Sequence, residues 1–285
     1  MDNDLTLSLS DAEIIEHCQQ ATSDLFLTDL NMNNQVVKLT EDLVVKFGFL
    51  IREDEAQNQA KAHELLDPSI VRVPRVYRYC MDSERYGYIV MEYMHGERRK
   101  AKSSSESAKS INIHDESTER KKSTDHMKGE RKKSSSESTN IHALSRILQH
   151  FASIKGPNPG SLTGGASDSS LFGETRPTFT SVEELERWFN RRLLDPDPTA
   201  HVSFAGQDLV LCHLDLFPRN ILWLEGQPPC VLDWATAGFF PRILERCSQL
   251  FSSSSDEYKS LFDQPLSPSE AVQVDRILQA AWNNM

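Results

Sequence analysis

The sequence predicts an α+β protein in two parts, a small β-rich first lobe and a mainly helical second lobe, with a low-complexity insert between them. Three observations carry this prediction. Before position 97, β-branched and alternating segments surround one stretch of strong helix formers. From Glu97 to Asn140 the chain is almost entirely Ser, Lys, Arg and Glu. Beyond it, apolar residues recur at helical spacing, except for two short apolar runs within LVLCHLDLFPRNILWL, Leu209 to Leu224.

The elements follow in order. SLSDAEIIEHCQQA predicts a first helix, because Ser10 and Glu13 have the spacing of a capping box. NQVVKL and LVVKFGFL alternate around Thr40-Glu41-Asp42 and predict a hairpin. Glu53 to Leu66 predicts a helix that stops before Pro68. VPRVYRYC and YGYIVMEYM predict two more strands around a turn at Asp82 to Arg85, completing a lobe over 1–96. The insert, 97–140, carries twelve basic and eight acidic residues and an imperfect duplication, GERRKAKSSSESAKSINIH and GERKKSSSESTNIH. It has too little apolar surface to offset the entropy of ordering and is expected to be disordered.

The second lobe, 141–285, begins with a helix whose Ile141, Leu144, Ile147, Leu148 and Phe151 share a face. A Gly/Pro/Ser loop runs from Gly156 to about Thr178. Ser181 and Glu184 then open SVEELERWFNRRLL as a helix. After the central strands and CVLDW, PRILERCSQLF and SPSEAVQVDRILQAAW predict the closing helices.

Net charge is −11 overall and +4 in the insert, so −15 in the remainder, which argues against nucleic-acid binding over the whole surface. No apolar run approaches the ~20 residues that span a bilayer. The N-terminus lacks the order of a signal peptide, so no membrane partner and a cytoplasmic location are expected. Five scattered cysteines without CxxC spacing predict neither a disulfide framework nor a structural zinc site. A monomer is expected.

The chemistry concentrates in His213-x-Asp215-x-x-x-x-Asn220, followed by Asp233 at the end of Cys230-Val231-Leu232. Burying such groups without partners costs a few kcal/mol each. The spacing suits phosphoryl transfer, which needs positioning and charge neutralisation more than covalent help. Asn220 and Asp233, on neighbouring strands, offer the hard oxygens that magnesium prefers. Asp215 faces the attacking hydroxyl across a loop stiffened by Pro218. Lys46 offers an amine for phosphate oxygens, and Glu55 on the next helix a partner for it. Glu92-Tyr93-Met94 falls where the two lobes join and offers backbone groups to an adenine ring. Other residues invite plainer readings. His213 reads as a buried brace, and Trp188 and Trp223 as core. Arg219 reads either as a phosphate contact or as a partner for a carboxylate.

HLDLFPRNIL and VLDWATAG resemble the catalytic and metal-binding motifs of the aminoglycoside phosphotransferase/choline kinase-like family, and especially its fungal members. VVKFG, the helix with Glu55-Ala56, VPRV and IVMEYMHGE occur in that family's order. The resemblance spans roughly Val36 to Gly96 and Ile141 to Pro241. It implies a bilobal protein kinase-like fold with ATP and Mg2+ as cofactors. It also implies Asp215 as base, Asn220 and Asp233 as metal ligands and Lys46 on the phosphates. Two departures stand out: no Gly-rich loop precedes Lys46, and Leu214 lies where the family often has Gly.

Together these readings predict an ATP- and Mg-dependent phosphotransferase acting on a hydroxyl of a small molecule, with negative charge outside the insert favouring a cationic acceptor. A pseudokinase that binds nucleotide or a partner without turnover is the alternative. A protein kinase ranks last, because TAGFFPRILERC lacks an APE-like docking segment.

Overall fold

The computed structural model describes residues 8–29, 32–98, 140–194, 197, 199–251 and 266–284, so the expectation of a disordered insert falls on residues outside this description. The first lobe opens with helix α1 (Asp11–Gln19), where both halves of the Ser10–Glu13 capping box form. The predicted hairpin is β1 (Gln35–Lys38) and β2 (Leu43–Gly48), antiparallel with Val36 opposite Lys46. Helix α2 (Glu53–Leu65) follows, then β3 (Val76–Met81) and β4 (Gly87–Glu92). The four strands form one antiparallel sheet in the order β1-β2-β4-β3. Alternation decides its faces. Val45, Tyr88 and Val90 pack against Ile14 and Cys18 of α1, and Val44, Ile89 and Met91 pack towards Ala56 of α2.

Strand β5 (Glu97–Arg98) pairs with β8 (Ile221–Trp223), so regular structure continues two residues past the composition break. The first helix of the second lobe, α3, covers 140–153. Leu144, Ile147 and Phe151 of its predicted face are buried, whereas Ile141 is exposed at the open end. The loop from Gly156 contains a short strand, β6 (Gly160–Ser161), and a 3-10 turn (Ser170–Thr175) that the loop composition concealed. Helix α4 (Val182–Asn190) starts at Ser181, whose hydroxyl accepts from the Glu184 N–H. The Glu184 carboxylate turns to Thr180 instead of completing the box.

Strand β7 (Leu209–Cys212) is buried along its length. It leads through a 3-10 turn (Pro218–Asn220) into β8, which pairs with β9 (Cys230–Val231). Strand β10 (Gly238–Pro241) lies between β6 and β7 and takes in Pro241, which was expected to start the helix PRILERCSQLF. Helices α5 (Ile243–Phe251) and α6 (Pro268–Trp282) close the chain, α6 behind a full Ser267–Glu270 capping box. One apolar cluster joins Phe172, Phe189, Phe240, Leu244 and Ile277. A second runs from Ala62 of α2 to Phe151 and Trp234, and so welds the lobes together. All five cysteines are free and buried. Among the described residues no helix is long and apolar enough to cross a membrane.

Candidate active site

The lysine of β2 is held by its strand neighbours. Val45 points to one side of the sheet, so Lys46 points to the other, towards α2. There its Nζ lies 2.5 Å from Glu55 Oε1 and 3.1 Å from Asp233 Oδ1. Residues 46, 55 and 233 thus converge from a strand, a helix and a loop of the other lobe. Burial works against the Lys46 ammonium, but Glu55 and then Asp233 outweigh it and raise its pKa. Asp233 is pulled the opposite way. Burial opposes its charge, yet Lys46 holds it below the usual carboxylate range. Glu55 therefore faces inward and is buried.

Helix α2 is kept in this position by its next turn. Asn58 Nδ2 donates to the carbonyls of Ala235 (3.3 Å) and Ala237 (3.4 Å), while its Oδ1 accepts from Ser161 at 2.8 Å. Arg176 adds a clamp from the second lobe, pairing with Asp54 of α2 and, at 2.9 Å, with Asp168.

Asp215 lies in the loop between β7 and β8. Asn220 Nδ2 donates to its Oδ2 at 2.6 Å and to its carbonyl at 2.8 Å. Arg219 donates to its Oδ1 at 2.5 Å, which selects the carboxylate partner from the two readings of that residue. Burial raises the Asp215 pKa, and Arg219 opposes that shift. With both Asn220 amide hydrogens directed at Asp215, the amide oxygen is the ligand this residue has left to offer. The Leu232 N–H donates to the Asn220 carbonyl at 2.8 Å, which sets Asn220 beside the segment that ends in Asp233.

These oxygens fit a magnesium–nucleotide complex. Asp233 and Asn220 supply two hard donors next to a lysine, and magnesium usually takes few protein ligands when phosphates supply others. Among the described residues no three His, Cys, Asp or Glu side chains gather as an all-protein metal cage.

His213 is a brace, as its flanking strands suggested. The Asp215 N–H donates to its Nδ1 at 3.2 Å, so Nε2 carries the proton and donates to the Leu232 carbonyl at 3.0 Å. Burial holds its pKa down at about 4, keeping the ring neutral. Trp234 packs edge-on against it at 4.7 Å.

Several supporting residues carried no signal in the motif. Glu245 of α5 accepts from the His213 N–H (2.6 Å) and the Leu214 N–H (3.0 Å) through one oxygen. Ser248 and Gln249 donate to the carbonyls of Leu214 and Leu216, and Thr236 donates to that of His213. Leu214 has a left-handed φ of 59°. That conformation costs a non-glycine residue about 1–2 kcal/mol. In this chain the Leu214 side chain is buried, and Glu245 and Ser248 hold its backbone.

At the junction of the lobes, the Arg75 N–H goes to the Glu92 carboxylate (3.2 Å), while the Glu92 N–H goes to the Arg75 carbonyl (2.9 Å). The Glu92 side chain thus stands in for its own carbonyl in the ladder. Among the described residues Met94 makes no backbone hydrogen bond, whereas the Tyr93 N–H is used by Asp42. Above this edge, Leu27 and Lys38 bond back to Val36 and Leu25, and Phe26 bridges Val37. The sequence contains no glycine between 27 and 34.

Residues 141–246 match the sequence profile described as "Phosphotransferase enzyme family". No curated protein matches the sequence. Among solved structures, a mutant of aminoglycoside phosphotransferase APH(4)-Ia in ternary complex with ADP and hygromycin B is similar with TM-score 0.55 and 13% identity, covering 96% of each chain. The apo form of a thermostable mutant of that protein is similar with TM-score 0.53 and 13% identity, again over 96% of each chain. A complex with AMP-PNP and hygromycin B gives TM-score 0.51 and 11% identity over 95% of this chain and 88% of that one. The β-sheet lobe, the largely helical second lobe and these likenesses together establish that the chain has the protein kinase-like fold of the aminoglycoside phosphotransferases.

Proposed function

We propose that this protein is an ATP- and Mg2+-dependent phosphotransferase that moves the γ-phosphate to a hydroxyl of a small molecule. The observation that carries this reading is the meeting of Lys46, Glu55 and Asp233 beside the Asp215–Asn220 pair. A structural ion pair does not require a second-lobe aspartate, and a structural loop does not require a buried base with its amide partner. The similar APH(4)-Ia structures hold ADP or AMP-PNP together with hygromycin B, which supports a nucleotide and a small hydroxylated acceptor here.

In this reading Lys46 binds phosphate oxygens, and Glu55 fixes its ammonium. The Glu92 carbonyl and the Met94 N–H face the adenine edge. Asn220 and Asp233 hold magnesium, which when bound supplies positive charge against the phosphates. Asp215, held by Asn220 and Arg219, orients the acceptor hydroxyl and takes its proton. A pseudokinase is the second reading, favoured by the sequence over 27–34, which lacks the glycines that let backbone N–H groups approach phosphates closely.

Two measurements test the proposal. Mg·ATP is expected to raise the melting temperature, and Asp215→Ala to keep that rise while losing at least 100-fold in phosphoryl transfer. Full activity in Asp215→Ala removes the assigned base. Stabilisation by Mg·ATP with no turnover on any hydroxyl compound selects the pseudokinase.

A further inference from the structure

We propose that Arg219 is the acceptor-side anchor, and that the acceptor carries an anionic group, a carboxylate or a phosphate, close to the hydroxyl that reacts. The inference rests on the phosphotransferase reading of the site and runs against the cationic acceptor that net charge favours.

Three features carry it. The Arg219 side chain is 60% exposed, whereas that of its partner Asp215 is only 21% exposed, so the guanidinium lies on the outer side of the base. The other Asp215 oxygen is taken by Asn220 from within. A hydroxyl that reaches Asp215 from the cleft therefore arrives beside the guanidinium. Second, the group is held in place. Its carbon sits 4.5 Å from the Phe217 ring centroid, and Pro218 fixes the backbone of the turn that presents it. Third, one N–H of five is spent on Asp215, and a planar fork with donors to spare matches a carboxylate or phosphate in two-point contact.

The carboxylates nearest the base have a partner of their own. Glu55 and Asp233 are both committed to Lys46. The overall negative charge acts through solvent and is screened beyond about 8 Å at physiological salt. The contacts open beside the base therefore decide, and the unspent N–H donors of Arg219 favour an anionic group over an ammonium next to the reacting hydroxyl.

Four matched three-carbon probes test the idea by calorimetric titration into the full chain saturated with Mg·ADP: glycerol, glycerate, glycerol 3-phosphate and the cationic 2-amino-1,3-propanediol. Glycerate or glycerol 3-phosphate, or both, are expected to bind about 10- to 100-fold more tightly than glycerol. The amino compound is expected to bind more weakly than glycerol, and the stronger of the two anions identifies carboxylate or phosphate. Arg219→Ala should erase the ordering, Arg219→Lys should keep part of it, and both should bind Mg·ATP within twofold of wild type. Equal binding, binding of none, or a preference for the amino compound overturns the proposal. So does an Arg219→Ala defect that falls on Mg·ATP and spares the anions, which makes Arg219 a nucleotide contact. Failure of Mg·ADP itself to bind is a separate result, and brings down the phosphotransferase reading together with this one.

Discussion

Each site residue acts through a neighbour that fixes its protonation. Asp215 is pushed up by burial and pulled back by Arg219, so its ionisation depends on a pair. Activity should therefore fall on the acid side with an apparent pKa above that of an ordinary aspartate. Arg219→Ala should move that limb to still higher pH, because the opposing charge is gone, and pH–kcat/KM profiles of the two proteins check it. The Lys46–Glu55 pair responds differently. Lys46 is held charged by two carboxylates, so Glu55→Gln leaves Asp233 as its only ionic partner at 3.1 Å. The ammonium is then expected to swing onto Asp233, the carboxylate proposed to hold magnesium. This variant should weaken Mg·ATP binding about tenfold, which titration measures, while changing the melting temperature little. Both pairs were legible as residue types. That Arg219 goes to Asp215 was not, because a four-residue spacing across a loop sets no direction for a long side chain.

At the scale of elements, short strands carry the site and long helices brace it. The strands around the Asp215 loop are two to four residues long, too short to be stable without their neighbours. Strand β10 shows how closely they fit. A Cβ on Gly238 would lie 2.3 Å from the Gly160 carbonyl oxygen of β6, a contact no side chain tolerates without backbone movement. Gly238→Ala is expected to destabilise the protein by about 1–3 kcal/mol in denaturant unfolding. Local codes were readable here where they were self-contained. The Ser10–Glu13 box and the β1–β2 hairpin form as expected, since each satisfies its groups within a few residues. Strand β10 was not readable, because GFFP becomes a strand only when β6 and β7 offer edges on both sides.

The whole molecule couples the loop to its core through buried ionisable groups, and this sets a pH signature. Folded Glu245 keeps its proton up to about 7, against 4.5 unfolded, because burial disfavours its charge. Its contribution to stability is present below 4.5 and lost as the pH rises to about 7. His213 acts with the opposite sign. Its folded pKa near 4 lies below the unfolded 6.5, so stability is lost as the pH falls between them. Between these limits the two effects oppose each other. Glu245→Gln keeps an acceptor for the His213 and Leu214 amides and removes one of the two. Its melting temperature should therefore fall more steeply than wild type as the pH drops from 6.5 to 4.5. Parallel Tm profiles for the two proteins would exclude Glu245 as a titrating group.

By itself, the sequence determined the two-lobed layout, the order of most elements and the spacing of Lys46, Glu55, Asp215, Asn220 and Asp233. Periodicity, caps and motif spacing are properties of neighbouring residues, and side-chain chemistry reports them directly. Only the tertiary structure decided that Asp233 reaches Lys46 across 187 positions, that Asn58 ties α2 to the loop after Asp233, and that a glutamate of α5 holds the amides of the loop carrying Asp215. Those contacts form when separate elements pack around a shared core, and nothing in a local pattern records which partner the packing will bring.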